Sequence, residues 1–153
     1  MTARVACFAV AFLIAASGQS AAQGISLLGT WEIVEARPAP WVEESKHAPL
    51  IAHGKRMIGQ TVTFTSREVT SKYKPLACKR AQYENTNYEA DAIFQGNLPE
   101  PNPTAAAVRL GFKKGETAGV DLRCTSGSYS YHFRDRGTAL TALSNVIYTL
   151  KRM

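Results

Sequence analysis

Apolar and polar residues alternate along much of the chain, with a period of two. Val62 and Phe64 point one way, and Thr61, Thr63 and Thr65 the other, which predicts a half-buried strand over Gln60–Ser66. Arg67 to Ser71 makes a weaker strand about Val69, and Ala77 to Glu84 another, with Tyr83 on its apolar side. Val120, Leu122 and Cys124 alternate with Asp121 and Arg123. Tyr129, Tyr131 and Phe133 alternate with Ser128, Ser130, His132 and Arg134. Thr138–Leu143 and Asn145–Arg152 follow, divided by a turn at Ser144-Asn145. Nearer the start, Gly29-Thr30-Trp31 opens a strand through Ile33-Val34, which Pro38 and Pro40 end.

Two stretches break the alternation. Asn102 suits a helix cap and Pro103 a first helical turn, ahead of Ala105–Leu110, with Gly111 or Gly115 to end it. Val42 to Lys55 mixes charges, histidines, Pro49 and Gly54, and reads as a long loop with one helical turn at Val42–Lys46. Ile93-Phe94 begins a short apolar patch that Gly96 closes. About eight short strands and one short helix make this a mainly β, antiparallel fold, a sandwich or an up-and-down barrel.

The N-terminus has a different pattern. Arg4 precedes an unbroken apolar run from Val5 to Ala16, too short to span a bilayer, and Ser20 and Ala22 supply small residues for cleavage before Gln23. Residues 1–22 therefore read as a secretory signal peptide and residues 23–153 as a single domain, periplasmic or secreted. No second long apolar run exists, so no membrane span is expected after cleavage. Cys7 leaves with the signal. Cys78 and Cys124 remain, and two cysteines in an oxidising compartment are expected to pair.

The formal charge is +6, from 18 Lys+Arg against 12 Asp+Glu over 153 residues. Lys72, Lys74, Lys79 and Arg80 cluster beside Tyr73 and Tyr83, but export removes nucleic acid as a target. An anionic envelope component, or solvation alone, is the expected role of these cations. Candidate chemistry is sparse. Ser130, His132 and Asp135 lie close together without a G-x-S-x-G elbow. His47 and His53 stand among Lys46, Lys55 and Arg56, poor company for a metal ion, and Glu43-Glu44 are adjacent. The reading is of a protein that is not an enzyme and that holds no metal or cofactor.

Gly29-Thr30-Trp31, on the first strand of a small exported β-protein, resembles the G-x-W signature of lipocalins and their calycin relatives. The resemblance implies a lipocalin-like antiparallel β-barrel in which Trp31 plugs the closed end and a basic residue on the last strand, here Arg152, packs across it. A guanidinium on an indole face gains cation–π energy and covers the ring. The implied function is binding of a small, partly apolar molecule inside the barrel, lined by Phe64, Tyr83, Leu122, Tyr131, Phe133 and Tyr148. In a tightly closed barrel the same residues would fill the core. Five residues beyond Trp31, near Ala36, the strand reaches the opposite rim, so Trp41 is expected over the open mouth. The competing reading is an envelope protein–protein module using Trp41 and the Pro38–Lys55 loop. In its inhibitor form this draws on Ser126-Gly127-Ser128-Tyr129, which resembles the small-residue loop of periplasmic inhibitors of C-type lysozyme.

Overall fold

The computed structural model describes residues 24–153, so the export signal, Cys7 and the cleavage point before Gln23 lie outside the described residues. Nine strands form one antiparallel sheet: β1 (Gly29–Pro38), β2 (Thr61–Phe64), β3 (Glu68–Ser71), β4 (Cys78–Lys79), β5 (Gln82–Tyr88), β6 (Thr117–Cys124), β7 (Gly127–Asp135), β8 (Thr138–Leu143) and β9 (Val146–Arg152). Their spatial order is β4-β3-β2-β1-β9-β8-β7-β6-β5. The fold is mainly β, and the sheet curls strongly into a half-barrel.

The connectivity explains the curl. β4 and β5 stand at opposite ends of the sheet, yet only Arg80 and Ala81 separate them in sequence. The two edges must therefore meet at one corner. Arg80 turns that corner with a left-handed backbone (φ 55°), which splits the single strand expected over Ala77–Glu84 into two. The Cys78–Cys124 disulfide crosses the same seam, joining β4 to β6 with a Cα–Cα distance of 5.4 Å. Nearby, the Tyr83 hydroxyl of β5 donates to the carbonyl of Thr65, which follows β2, at 2.7 Å.

The two-residue turn between β8 and β9 forms as the pattern implies. Leu143 pairs with Val146, and Ser144 and Asn145 take φ values of 49° and 64°, the mirror-image turn whose twist matches the strands. The helix α2 (Pro103–Arg109) starts where Asn102 accepts from the amide of Ala105 at 2.8 Å. It ends at Gly111 (φ 88°), with Arg134 of β7 donating to the freed carbonyl of Leu110 at 3.2 Å.

The expected loop at Val42–Lys55 is a correction. It forms a single turn at Glu44–Lys46 running into a helix, α1 (His47–Lys55). Pro49 does not prevent this, because it lies in the first helical turn, where the missing amide hydrogen has no intrahelical partner to lose. Leu50 and Met57, the latter just past the helix, bring the segment against the barrel interior. Gly54 lets the helix sit directly on β1, since a Cβ there would lie 2.8 Å from the Cβ of Ala36.

Two apolar layers result. The inner one gathers Trp31, Ile33, Val62, Phe64, Leu122, Tyr131, Phe133, Tyr148 and Leu150 on the concave face. The outer one lies on the convex side of β8 and β9, where Leu140 and Ile147 are covered by Ile93, Phe94, Leu98, Ala106, Ala107, Leu110 and Phe112. The segment between β5 and β6 thus packs back across the outside of the sheet, and β8 and the apolar part of β9 are buried on both faces. No helix among the described residues is long and apolar enough to cross a membrane.

Candidate functional site

The sheet's alternation sends the expected ligand-lining residues to two different places. Phe64, Leu122, Tyr131, Phe133 and Tyr148 all face inward and are almost wholly buried. They pack on one another and on their neighbours: Phe64 meets Tyr131 edge-on at 5.2 Å between ring centres, and Trp31 meets Phe133 at 6.1 Å. Burial pushes the hydroxyls of Tyr131 and Tyr148 well above the usual tyrosine range, with neighbouring tyrosines adding to the effect. Tyr83 lies at the margin of this layer and lines a shallow groove of about 210 Å³ with residues 24–28.

Trp41 is elsewhere. The expectation placed it over the barrel mouth, but it packs on Phe94 of the outer layer, 5.9 Å between ring centres. Its indole Nε1 donates to Asn145 Oδ1 at 3.3 Å. The reason is the outer layer itself: a second apolar surface, invisible in the strand alternation, takes the ring once the chain leaves β1.

Trp41 forms one wall of a cleft of about 380 Å³. The rest is built from Phe94, Gln95 and Asn97 before α2, Ser130 and His132 on β7, and Ala142 to Asn145 at the β8–β9 turn. None of these side chains carries a formal charge with His132 neutral. Among the described residues, four of the five non-glycine positions with positive φ (Phe94, Gln95, Ser144 and Asn145) line this one cleft. The pair at the turn is ordinary hairpin geometry. Phe94 and Gln95, at 52° and 61°, are held in a conformation such side chains seldom adopt.

His132 holds that segment. Its Nε2 accepts from the backbone amide of Phe94 at 2.9 Å, and Asn97 Nδ2 donates to the Phe94 carbonyl at 2.7 Å. Since Nε2 accepts, the neutral ring carries its hydrogen on Nδ1, and that buried nitrogen has no partner among the described residues. Tyr88 and Phe94 clasp the ring edge-on at 4.6 and 4.9 Å. Burial lowers the His132 pKa to about 4, against the opposing pull of the Asp121 carboxylate.

Beneath the cleft, Ser130 and Tyr88 both donate to Asp121 Oδ1, at 2.6 and 2.5 Å. Burial first, and then this bond, push the Tyr88 hydroxyl up to about 12. The Ser130 hydroxyl is therefore committed to Asp121, and His132 Nε2 to a backbone amide. Ser130, His132 and Asp135 form no nucleophile–base pair.

The remaining sequence candidates are dispersed. His47 Nε2 bonds to the Val42 carbonyl at 3.0 Å and His53 Nε2 to the Tyr73 hydroxyl at 3.0 Å. No metal-binding group of His, Cys, Asp and Glu occurs among the described residues. Ser126 sits in the exposed two-residue turn between β6 and β7, where Cys124 pairs with Gly127. Gly29, Trp31 and Arg152 do meet, with the Arg152 guanidinium 4.4 Å from the Trp31 ring centre. The residues that sequence reasoning missed are Phe94, Gln95, Asn97 and Asn145. The only signal was His132, a single imidazole between aromatic neighbours on a strand.

No family model, curated protein or solved structure matches this chain.

Proposed function

We propose that this is an exported, non-enzymatic binding protein of the periplasm or secreted space, which takes a small molecule in the outer cleft between Trp41 and His132. The observation that carries the reading is the cleft's construction. A partly exposed indole is fixed in orientation by Asn145, a buried imidazole nitrogen is left without a partner, and two residues are held in a rare backbone conformation beside them. Buried polar groups without partners are costly, and proteins retain them chiefly where something else satisfies them. A volume of about 380 Å³ lies within the range of small-molecule sites.

Export is supported by the signal-like N-terminus and by the Cys78–Cys124 bond, which suits an oxidising compartment. The likeness to lipocalins and their calycin relatives is supported by Arg152 stacking on Trp31 of the Gly29-Thr30-Trp31 sequence. Ligand capture outside the barrel would depart from that family's habit. The packed inner tyrosines and phenylalanines favour the departure.

Native mass spectrometry of protein recovered from its own envelope tests the reading. The wild type should carry a bound mass that Trp41→Ala loses while melting within a few degrees of wild type. A bound mass retained by that variant, or one lost only with early melting, would place the ligand elsewhere.

A further inference from the structure

If the cleft is the binding site proposed above, its chemistry restricts what it can hold. Its polar side chains are amides and hydroxyls: Gln95, Asn97, Ser130, Ser144 and Asn145, joined by neutral His132. Amides both donate and accept, hydroxyls likewise, so the lining suits a ligand whose own groups do both. No cation lines the space, so an anionic ligand would give up its hydration for no charge partner. A purely apolar ligand would strand the amides. Trp41 adds one flat apolar wall, and its bond to Asn145 Oδ1 keeps that wall beside the amides.

From this set we infer that the cleft binds an uncharged saccharide. A pyranose ring has an apolar face of C–H groups that can lie on an indole, and a rim of hydroxyls that each donate and accept. The outer face of Trp41 would take the ring. Gln95 and Asn145 line the same cleft as Trp41, and their side-chain amides offer the donors and acceptors that such a rim requires. The basic residues gathered at Lys72–Arg80 lie outside the cleft lining and take no part in this site.

A printed array of neutral glycans, followed by calorimetry on the strongest binder, tests the inference. A neutral apolar fluorophore, N-phenyl-1-naphthylamine, is titrated in parallel, each against wild type, Trp41→Phe and Trp41→Ala. The expected result is binding of an uncharged glycan, largely kept by Trp41→Phe and weakened about tenfold or more by Trp41→Ala, as loss of an aromatic platform implies. Both variants should melt like wild type. Naphthylamine binding that depends on Trp41, with no glycan bound, would overturn the saccharide and leave the cleft as a binding site. Glycan binding indifferent to Trp41 would overturn the saccharide assignment to this cleft. Binding of neither probe would remove both the inference and the reading beneath it.

Discussion

Arg152 lies across Trp31, its guanidinium carbon 4.4 Å from the indole centre. The same side chain donates to the carbonyl of Leu28 at 2.6 Å and to that of Ser26, while Trp31 Nε1 donates to the carbonyl of Leu27 at 2.8 Å. One arginine thus ties the last strand to the segment that enters the first. Gly29 makes room for it: a Cβ there would stand 2.9 Å from the guanidinium, on a backbone with φ 119°.

Trp31→Ala should therefore cost about 3–5 kcal/mol, as truncation of a fully buried aromatic does. Arg152→Ala should cost roughly 1 kcal/mol from the lost cation–π contact, and more where its two carbonyl partners are not resolvated. Urea denaturation of the singles and the double should give non-additive losses. Additive losses would show that ring and guanidinium are not energetically coupled.

The seam between β4 and β6 gives a second expectation. Alkylation of the unreduced protein should label neither Cys78 nor Cys124. Replacing both with serine should destabilise by about 4 kcal/mol, the chain-entropy value for a loop of this size. Two reactive thiols in the native protein would contradict the bond.

His132 titrates in a direction the burial fixes. Its pKa is about 4 in the folded protein against an ordinary 6.5, so between those values the unfolded chain binds more protons than the folded one. Stability from this group is intact above about pH 6.5 and is lost as pH falls towards 4, by about 3 kcal/mol in all. Tyr88 and Phe94 face the ring, and the nearby Asp121 carboxylate opposes the shift. His132→Gln should flatten the stability–pH curve over that window relative to wild type. Curves that run parallel would mean the imidazole is not held neutral.

Gly54 offers a test of how α1 closes on the barrel. Gly54→Ala should destabilise by about 1–3 kcal/mol through overpacking against Ala36. Adding Ala36→Gly should recover part of the loss. A thermal melt of Gly54→Ala equal to wild type would mean the helix stands off from β1.

The two-residue alternation of Val62 and Phe64, or of Tyr129, Tyr131 and Phe133, was enough to identify strands, because each has one apolar face and one polar face. Asn102 marked the start of α2 and a glycine, Gly111 or Gly115, its end, by backbone chemistry that is local; the structure uses Gly111. Ser144-Asn145 marked its turn for the same reason. The pairing of Cys78 with Cys124 needed only a count and a compartment.

Other features depended on groups that are distant in sequence. α1 was not legible because its apolar residues do not gather on one face; Leu50 and Met57 find their place only once β1 and β9 stand beneath them. The inward set Phe64, Tyr131 and Tyr148 could be named, but not whether those rings would surround a space or fill one, since that depends on how far the sheet curls, and the two residues joining β4 to β5 set that. The outer cleft was the least visible. Alternation tells which side chains share a face, but not that a second layer will cover the opposite face. Leu140 and Ile147 are apolar on the side where a one-layered barrel would be polar, and the segment from Ala90 to Phe112 folds over them. Only that packing brings Trp41, Phe94, His132 and Asn145 together.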